Sequence, residues 1–530
     1  MSESGQGSAS GSGRAVVGAA GLLASSVLIA RALGYLRDAL FASEVGVGSG
    51  ADAYFAAFMI PDILGYLLAA GAAATAVTPP YVKRLKEQGP EAAARFASVV
   101  VGTVGLASIG FTVILWFVAE PLVRIQFPDF DASTLEETVL LMRIVLPAQI
   151  FFLTGGILRG VLMAHGRFWP QAWAAVIYSA APIVGGLALG GAEGFAWGTL
   201  VGAALGQWAI PVLALRQLPG AVGRMRVGLF DSDFREYVWL ALPLMLGLGL
   251  TTVDEWYEKW IGGQIEVGAI AAITYARKLM MAPVGVVGQA VGAALLPSLT
   301  LLYRDGDEAG FRDLFGHTLR TTLGLGILAA GALALLALPL VELLYERRAF
   351  TAENTAAVSG LLVVLSVAVP GWVVQQVAVR GFYARGEMWR AMILSTSVAL
   401  AVIPLYVIGG AREGVRGLAV ASVTAISLNA LITVVWLRRR TGAPRLGPLA
   451  ETFARTALIT LIASFIASFL LSELSFAVER AWIALPVGGV LYGLVALAAA
   501  RVLGDAPLRS GIDSILARLT RHARRRSESR

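Results

Sequence analysis

The chain has 530 residues, of which 57% are hydrophobic, 15% are charged and none is cysteine. A soluble globular chain carries about 25% charged residues, so this composition, with a mean hydropathy of +0.73, identifies an all-α polytopic membrane protein and excludes disordered, coiled-coil and disulfide-stapled classes. The missing cysteines remove thiolate metal sites and thiol nucleophiles, and the net charge of +7 has to be explained by where it sits.

A membrane crossing needs about 20 mostly apolar residues. Runs of that kind lie near 15–43, 53–82, 96–118, 135–163, 169–189, 195–215, 236–261, 269–302, 314–344, 354–383, 388–409, 415–437, 453–472 and 481–502, fourteen in all. The predicted organisation is a Gly/Ser-rich flexible lead (1–14), an N-terminal lobe of six spans (15–216) and a polar linker (217–235). A C-terminal lobe of six spans (236–440), two additional helices (441–502) and a basic tail (503–530) follow. The lead lacks the basic n-region of a secretory signal, and the first apolar run is too long for one.

Basic residues in short connections set orientation. One set of alternate connections holds sixteen Lys and Arg, among them Lys83, Arg84, Arg167, Arg224, Arg385 and Arg440; the opposite set holds six, including Arg124, Arg347 and Arg480. Both termini are therefore expected in the cytoplasm. The closing Arg-His-Ala-Arg-Arg-Arg run reads as a topology anchor near anionic lipid rather than a nucleic-acid site.

The lobes repeat one another. Arg159-Gly160, Ala164, Gly166 and Trp169 match Arg380-Gly381, Ala384, Gly386 and Trp389, and Glu193-Gly194 matches Glu413-Gly414, at offsets of 220–221. A six-span unit returns the chain to the same side, so the copies are parallel. Parallel repeats of this kind are expected to enclose a substrate path and to work by alternating access.

Ionisable residues inside spans cost about 2.5–3.5 kcal/mol each on insertion scales, and so mark candidate sites. The first span holds Arg31, Arg37 and Asp38. Arg31, Tyr35 and Asp38 share one helical face, while Arg37 points about 120° away from Arg31. The eighth span holds Tyr275-Ala-Arg277-Lys278, and Lys278 is the most deeply placed of only four lysines. Adjacent residues diverge by about 100°, so Arg277 and Lys278 are not expected to face one cavity together. Guanidinium and ammonium groups suit phosphate, so these residues point to a multiply charged anion such as a lipid-linked pyrophosphate headgroup. In the seventh span, Asp254 and Glu258 share a face and are candidates for a coupling cation or proton. The alternative there is local pairing of Glu255 with Lys259 at i, i+4. Asp52 and Asp62 flank the start of the second span, and Asp52 also reads as a helix N-cap.

Other patterns carry less. Asp129-Phe-Asp131 and Asp231-Ser-Asp233 resemble a DxD metal motif, but each lies in a short connection. His165, His317 and His522 are scattered, with no metal-ligand spacing, and no GxxxxGK[ST] loop is present. No metal or cofactor is expected from these residues.

Arg31-Ala-Leu-Gly34-Tyr-Leu-Arg37-Asp38 followed by Gly50-Ala-Asp52-Ala-Tyr-Phe and Ile60-Pro61 resembles the opening of the MurJ/MviN family. So do Tyr275-Ala-Arg-Lys-Leu-Met with Pro283, Leu295-Leu-Pro297-Ser298, the Tyr345-Glu-Arg-Arg-Ala-Phe350 loop and Gly381-Phe-Tyr383. The resemblance implies a lipid II flippase of the MOP exporter superfamily, with two six-helix lobes and two further helices. It implies that Arg31, Arg37 and Lys278 are cavity cations, with Lys278 standing where the family has arginine. It makes Asp38 and Asp52 neighbouring acids and aligns Glu258 with an acid that some members use for sodium. A further family arginine and a Glu-Gly pair are missing; this chain has Gly65-Tyr66 and Ala70-Gly71 there. No acid or amide in Ser397–Ile408 completes a sodium site.

The expected role is movement of a lipid-linked peptidoglycan precursor across a bacterial plasma membrane, driven by a cation (sodium or proton) or the membrane potential. The expected partners are membrane lipids and the cell-wall synthesis machinery, and nucleic acid is not among them. Export of another polyprenyl-linked glycan, or of drugs by a MATE-like relative, is the second transport reading. A membrane glycosyltransferase would need a catalytic acid in a substantial outer loop, and Ala119–Ser133 is short. A pure scaffold leaves the intramembrane charges unexplained.

Overall fold

The computed structural model describes residues 6–67, 73–249, 253–474 and 480–513. Among them every regular element is helical. Hydrocarbon offers backbone N–H and C=O groups no partner, and a helix satisfies them within one segment.

The chain divides into two compact units, one of residues 1–252 with Arg347–Phe350 and one of Val253–Glu346 with 351–530. The first contains α1 (Gln6–Val45), α2 (Ser49–Ala57), α3 (Met59–Leu67), α4 (Ala73–Glu87), α5 (Pro90–Phe117), α6 (Ala119–Gln126), α7 (Ala132–Val145), α8 (Ala148–Ala164), α9 (Trp169–Leu189) and α10 (Gly191–Gly202). A π-helical stretch (Ala203–Ala209), α11 (Ile210–Leu215) and α12 (Ser232–Gly249) complete it. The second contains α13 (Val253–Gly262), α14 (Ala269–Pro283), a π-helical stretch (Val284–Gln289), α15 (Ala290–Arg304), α16 (Glu308–Leu335), α17 (Ala337–Tyr345) and α18 (Ala352–Ser366). It continues with α19 (Val369–Ala384), α20 (Met388–Ala401), α21 (Ile403–Thr441), α22 (Leu446–Glu473) and α23 (Ala481–Leu503).

Three features differ from the sequence expectation. First, helix begins at Gln6, inside the stretch read as a flexible lead. Second, the division falls at Thr252–Val253, not at 216–236. The linker and α12 belong to the first unit because contacts distant in sequence hold them there. The N–H groups of Gly223 and Arg226 donate to Ala94 and Ser98 carbonyls on α5. Arg84 on α4 reaches Asp233 and Glu236 on α12, each at 2.6 Å, and Tyr237 and Ala241 are buried in the same core as Phe96 and Tyr81. Third, nine helical stretches among the described residues are long and apolar enough to cross a membrane, or ten if the bent pair α18–α19 (44°) is one span. The fourteen-span count is not reached by that measure. One of the nine stretches, Met388–Thr441, has 54 residues, or about 80 Å of helix at 1.5 Å per residue, and covers both the eleventh and twelfth expected spans. It breaks at Glu413 and Gly414, whose φ is +60°. The expected second and seventh spans each contain a stretch outside the described residues, 68–72 and 250–252.

The duplication is visible in the backbone. Gly166 and Gly386, 220 residues apart in sequence, both have φ of +71°, a left-handed conformation that glycine adopts without steric cost. The turns they form are alike: Arg167 N–H donates to the Leu162 carbonyl and Glu387 N–H to the Phe382 carbonyl, each at 2.9 Å. This six-to-one bond is the closing bond of a Schellman cap. Close glycine packing also recurs. A Cβ on Gly198 would lie 2.6 Å from the Ala181 carbonyl oxygen, and one on Gly417 only 1.9 Å from that of Gly409. In each unit, two consecutive helical segments touch backbone to backbone.

Gly417→Ala should lower the thermal unfolding midpoint, because overpacking costs on the order of 1–3 kcal/mol. Gly316→Ala, where a Cβ meets open space inside α16, should raise it slightly, since glycine inside a helix costs roughly 0.5–1 kcal/mol relative to alanine. Equal midpoints for the two variants, measured in one detergent, would remove this account of the glycine contact.

Candidate functional site

The first unit holds its sequence-identified charges on α1 and α2. Asp38 is 7% exposed and is reached by its own neighbour: Arg37 Nε and NH2 donate to Asp38 Oδ1 at 3.1 and 2.9 Å. The long arginine side chain thus spans the angular gap between adjacent helix positions. Arg31 lies six residues earlier on the exposed face of α1. Asp52 is 2% exposed in the first turn of α2, but Gly48 holds the N-cap position and no side chain caps the helix. The N-cap reading of Asp52 therefore does not hold. Its carboxylate instead sits within the positive end of the helix dipole, where negative charge is favoured. Phe41 on α1 packs with its ring 4.3 Å from that of Tyr54 on α2, tilted by 35°, and edge-on at 5.1 Å from Phe195 on α10, fixing the segments that carry these groups.

The second unit assembles its charges from three helices. Arg277 on α14 donates from Nε and NH2 to the two carboxylate oxygens of Glu258 on α13, at 2.6 and 2.5 Å. Its NH1 reaches Asp254 at 3.0 Å, and NH2 also reaches Ser422 Oγ on α21 at 2.9 Å. The Arg277 and Glu258 side chains are 5% and 1% exposed. This is the bidentate arginine–carboxylate geometry that gives the stronger class of hydrogen bond. Losing Arg277 alone would leave two carboxylates to be desolvated without a partner, and breaking a buried pair in that way costs roughly 3–5 kcal/mol.

Asp254 and Glu258 thus share a face, as their spacing predicts, and Arg277 joins them there. Arg277 was read from the sequence among the substrate-binding residues; its donors go to Asp254, Glu258 and Ser422. Lys278 diverges from it and is half-buried. The local alternative is also present, since Lys259 Nζ lies 2.9 Å from Glu255. Two participants have no sequence signal of their own. Ser422 is a single hydroxyl 145 residues from Arg277, and Tyr406 packs its ring 5.5 Å from that of Tyr257. Arg159, noted only as a repeat marker, is buried and donates to Gln207 Oε1 at 2.6 Å and to the Gln207 carbonyl at 3.1 Å. That carbonyl belongs to the π-helical stretch, a class of backbone defect frequent at functional sites.

Gly65 sits where a Cβ would lie 3.0 Å from Gln149 Oε1, and Ala70 lies outside the described residues. No group of three or more metal-ligating side chains was found among the described residues.

Two repeated units, helical in their described residues and carrying ionisable groups among helices long and apolar enough to cross a membrane, define a multi-pass membrane protein. A family model described as lipid II flippase MurJ matches residues 41–485. The chain belongs to this family. It is 30% identical over 431 residues to a probable lipid II flippase MurJ of Rhizobium tropici, covering 78% of this chain and 79% of the relative. It is 25% identical over 432 residues to the lipid II flippase MurJ of Burkholderia cenocepacia, covering 78% and 82%. The fold resembles that of a lipid II flippase MurJ in an inward closed conformation, with a TM-score of 0.74, 22% identity and 91% and 99% coverage. It also resembles an inward-facing MATE family transporter of the MOP superfamily, with a TM-score of 0.67, 16% identity and 77% and 94% coverage. Asp52, Asp254, Glu258, Arg277 and Lys278 lie within the family-matched residues; Arg31, Arg37 and Asp38 precede them.

One histidine sits in a defined polar contact just beyond a span. His165 Nε2 is 3.0 Å from the Tyr81 hydroxyl, which donates to the Ala221 carbonyl at 2.9 Å. Burial lowers the His165 pKa below its ordinary value, so the unfolded chain binds the proton more readily. Stability from this residue is therefore present above about pH 6.5, the unperturbed value, and is lost as pH falls towards the lower folded value. The thermal midpoint should drop between pH 7.5 and 5.5 in the native chain, and drop less in His165→Gln. An identical pH slope in the two proteins would exclude the effect.

Proposed function

We propose that this chain moves lipid II, the lipid-linked peptidoglycan precursor, from the inner to the outer leaflet of the bacterial plasma membrane by alternating access. The observation that carries this reading is family membership across residues 41–485. Cations within the spans support it, because a pyrophosphate headgroup is multiply negative and guanidinium and ammonium groups are its natural partners. Arg31 on the exposed face of α1 is the headgroup cation of the first unit, and Lys278 on α14 is that of the second. Arg37 contributes positive charge moderated by Asp38, and Asp52 balances the cations of its unit. The remaining partners are membrane lipids and the cell-wall synthesis machinery that supplies the precursor. Both termini face the cytoplasm, in line with sixteen basic residues in one set of connections against six in the other.

Arg31→Ala and Lys278→Ala, expressed at native levels, should each reduce lipid II translocation at least about tenfold, the effect of 1.4 kcal/mol of lost interaction; Lys278→Arg should retain activity. Full activity in both alanine variants would remove these residues from the headgroup site. The native chain should also rescue a flippase-depleted bacterium. Failure despite correct insertion would favour another polyprenyl-linked glycan, a reading supported by Gly65 standing where the sequence resemblance expects arginine.

The cysteine-free chain permits a direct topology test. In intact cells a membrane-impermeant maleimide should label Glu353→Cys and leave Ser527→Cys unlabelled until the cells are opened. The reverse pattern would invert the orientation.

A further inference from the structure

We infer that Arg277 is a built-in counter-cation: its guanidinium occupies an oxygen-lined site that would otherwise take a monovalent metal cation, and so closes that site to exchangeable ions.

Glu258 and Asp254 on α13 and Ser422 on α21 present two carboxylates and a hydroxyl to one point between three helices of the second unit. Oxygen donors of this type suit hard cations. The point is filled from α14 by Arg277, which places four hydrogen bonds on these three residues at 2.5–3.0 Å. Glu258 has both of its carboxylate oxygens engaged by the one guanidinium. Glu258 and Ser422 are almost fully buried, at 1% and 0% exposed. An entering ion would find both Glu258 oxygens, one Asp254 oxygen and the Ser422 hydroxyl already in use.

Two features make the occupant permanent. Arginine stays protonated in proteins and does not give up its charge, and it is covalently part of α14, so it cannot leave with a concentration gradient. The local charge is also already balanced. Asp254, Glu255 and Glu258 on α13 are matched by Lys259 on the same helix, paired with Glu255, and by Arg277 and Lys278 on α14. One more cation would leave uncompensated positive charge in a medium of low dielectric, which is costly.

Occupancy of the site is independent of which lipid is carried. Its consequence for drive rests on the flippase reading: transport would proceed without sodium bound at this cluster.

The test is sodium binding to the full-length purified chain, measured with 22Na+ by scintillation proximity and by the thermal midpoint in sodium chloride against choline chloride. The native chain should show no saturable binding and no sodium-dependent midpoint. Arg277→Ala should gain saturable 22Na+ binding and a midpoint raised by sodium, and adding Glu258→Gln should abolish both. Arg277→Gln, which is shorter and uncharged but keeps a donor amide where arginine has Nε, serves if the alanine variant does not fold. Saturable binding by the native chain that is lost in Glu258→Gln would overturn the proposal, and that arm needs no Arg277 variant. A folded Arg277→Ala or Arg277→Gln protein with no sodium response would overturn it as well. In proteoliposomes the native flipping rate should be the same with and without a sodium gradient. Absence of flipping altogether would count against the flippase reading and leave the binding result standing.

Discussion

Hydrocarbon withholds hydrogen bonds, and nearly every feature of this chain answers that constraint. Backbone groups are satisfied within helices because an exposed strand edge or loop at that depth would leave them unpaired. Charged side chains face the same demand more severely, since an isolated buried charge is costlier than an unpaired amide. The Arg277–Glu258–Asp254 cluster meets it by drawing groups from α13, α14 and α21 together. Arg37 and Asp38 meet it more simply, as neighbours on one helix.

The two units share a scaffold but not a charge pattern. The left-handed glycine turn at Gly166 and Gly386 and the close glycine contacts at Gly198 and Gly417 recur at nearly the same offset. The second unit joins its charges across α13, α14 and α21, whereas in the first unit Arg37 reaches its immediate neighbour Asp38 and Arg84 on α4 reaches Asp233 and Glu236 on α12. Backbone geometry set by glycine was kept through the duplication, whereas the ionisable groups diverged.

How much could be read beforehand follows from the range of each interaction. Long apolar runs need only a local window, so membrane spans and helical class were legible. The repeat was legible because Arg-Gly, Gly and Trp recur at fixed spacing. Helix length alone does not reach the count of fourteen, since the expected eleventh and twelfth spans form one helical run that breaks at Gly414 and the expected second and seventh each contain residues outside those described. The linker's place in the first unit depends on Arg84 meeting Asp233 and Glu236, about 150 residues away, and no periodicity encodes such a pairing. For the ion cluster, i, i+4 spacing put Asp254 and Glu258 on one face, and the 100° step separated Arg277 from Lys278. The partnership of Arg277 with that acid pair requires knowing which helices adjoin, and Ser422 carries no mark of its own.

The glycine contacts also apportion stiffness. Where backbone meets backbone with no side chain between, there is nothing to repack, and the two segments have no room to slide past one another. The runs joined through Gly185, Gly194 and Gly198, and through Gly409 and Gly417, are therefore the inflexible struts of their units. Shape change has to be absorbed by compliant elements, and the second unit has one immediately after its ion cluster. Pro283 removes a backbone donor, and the six π-helical residues that follow it widen the helix. Strain arriving at α14 would accordingly be spent in bending at that joint before it reached the rigid pair.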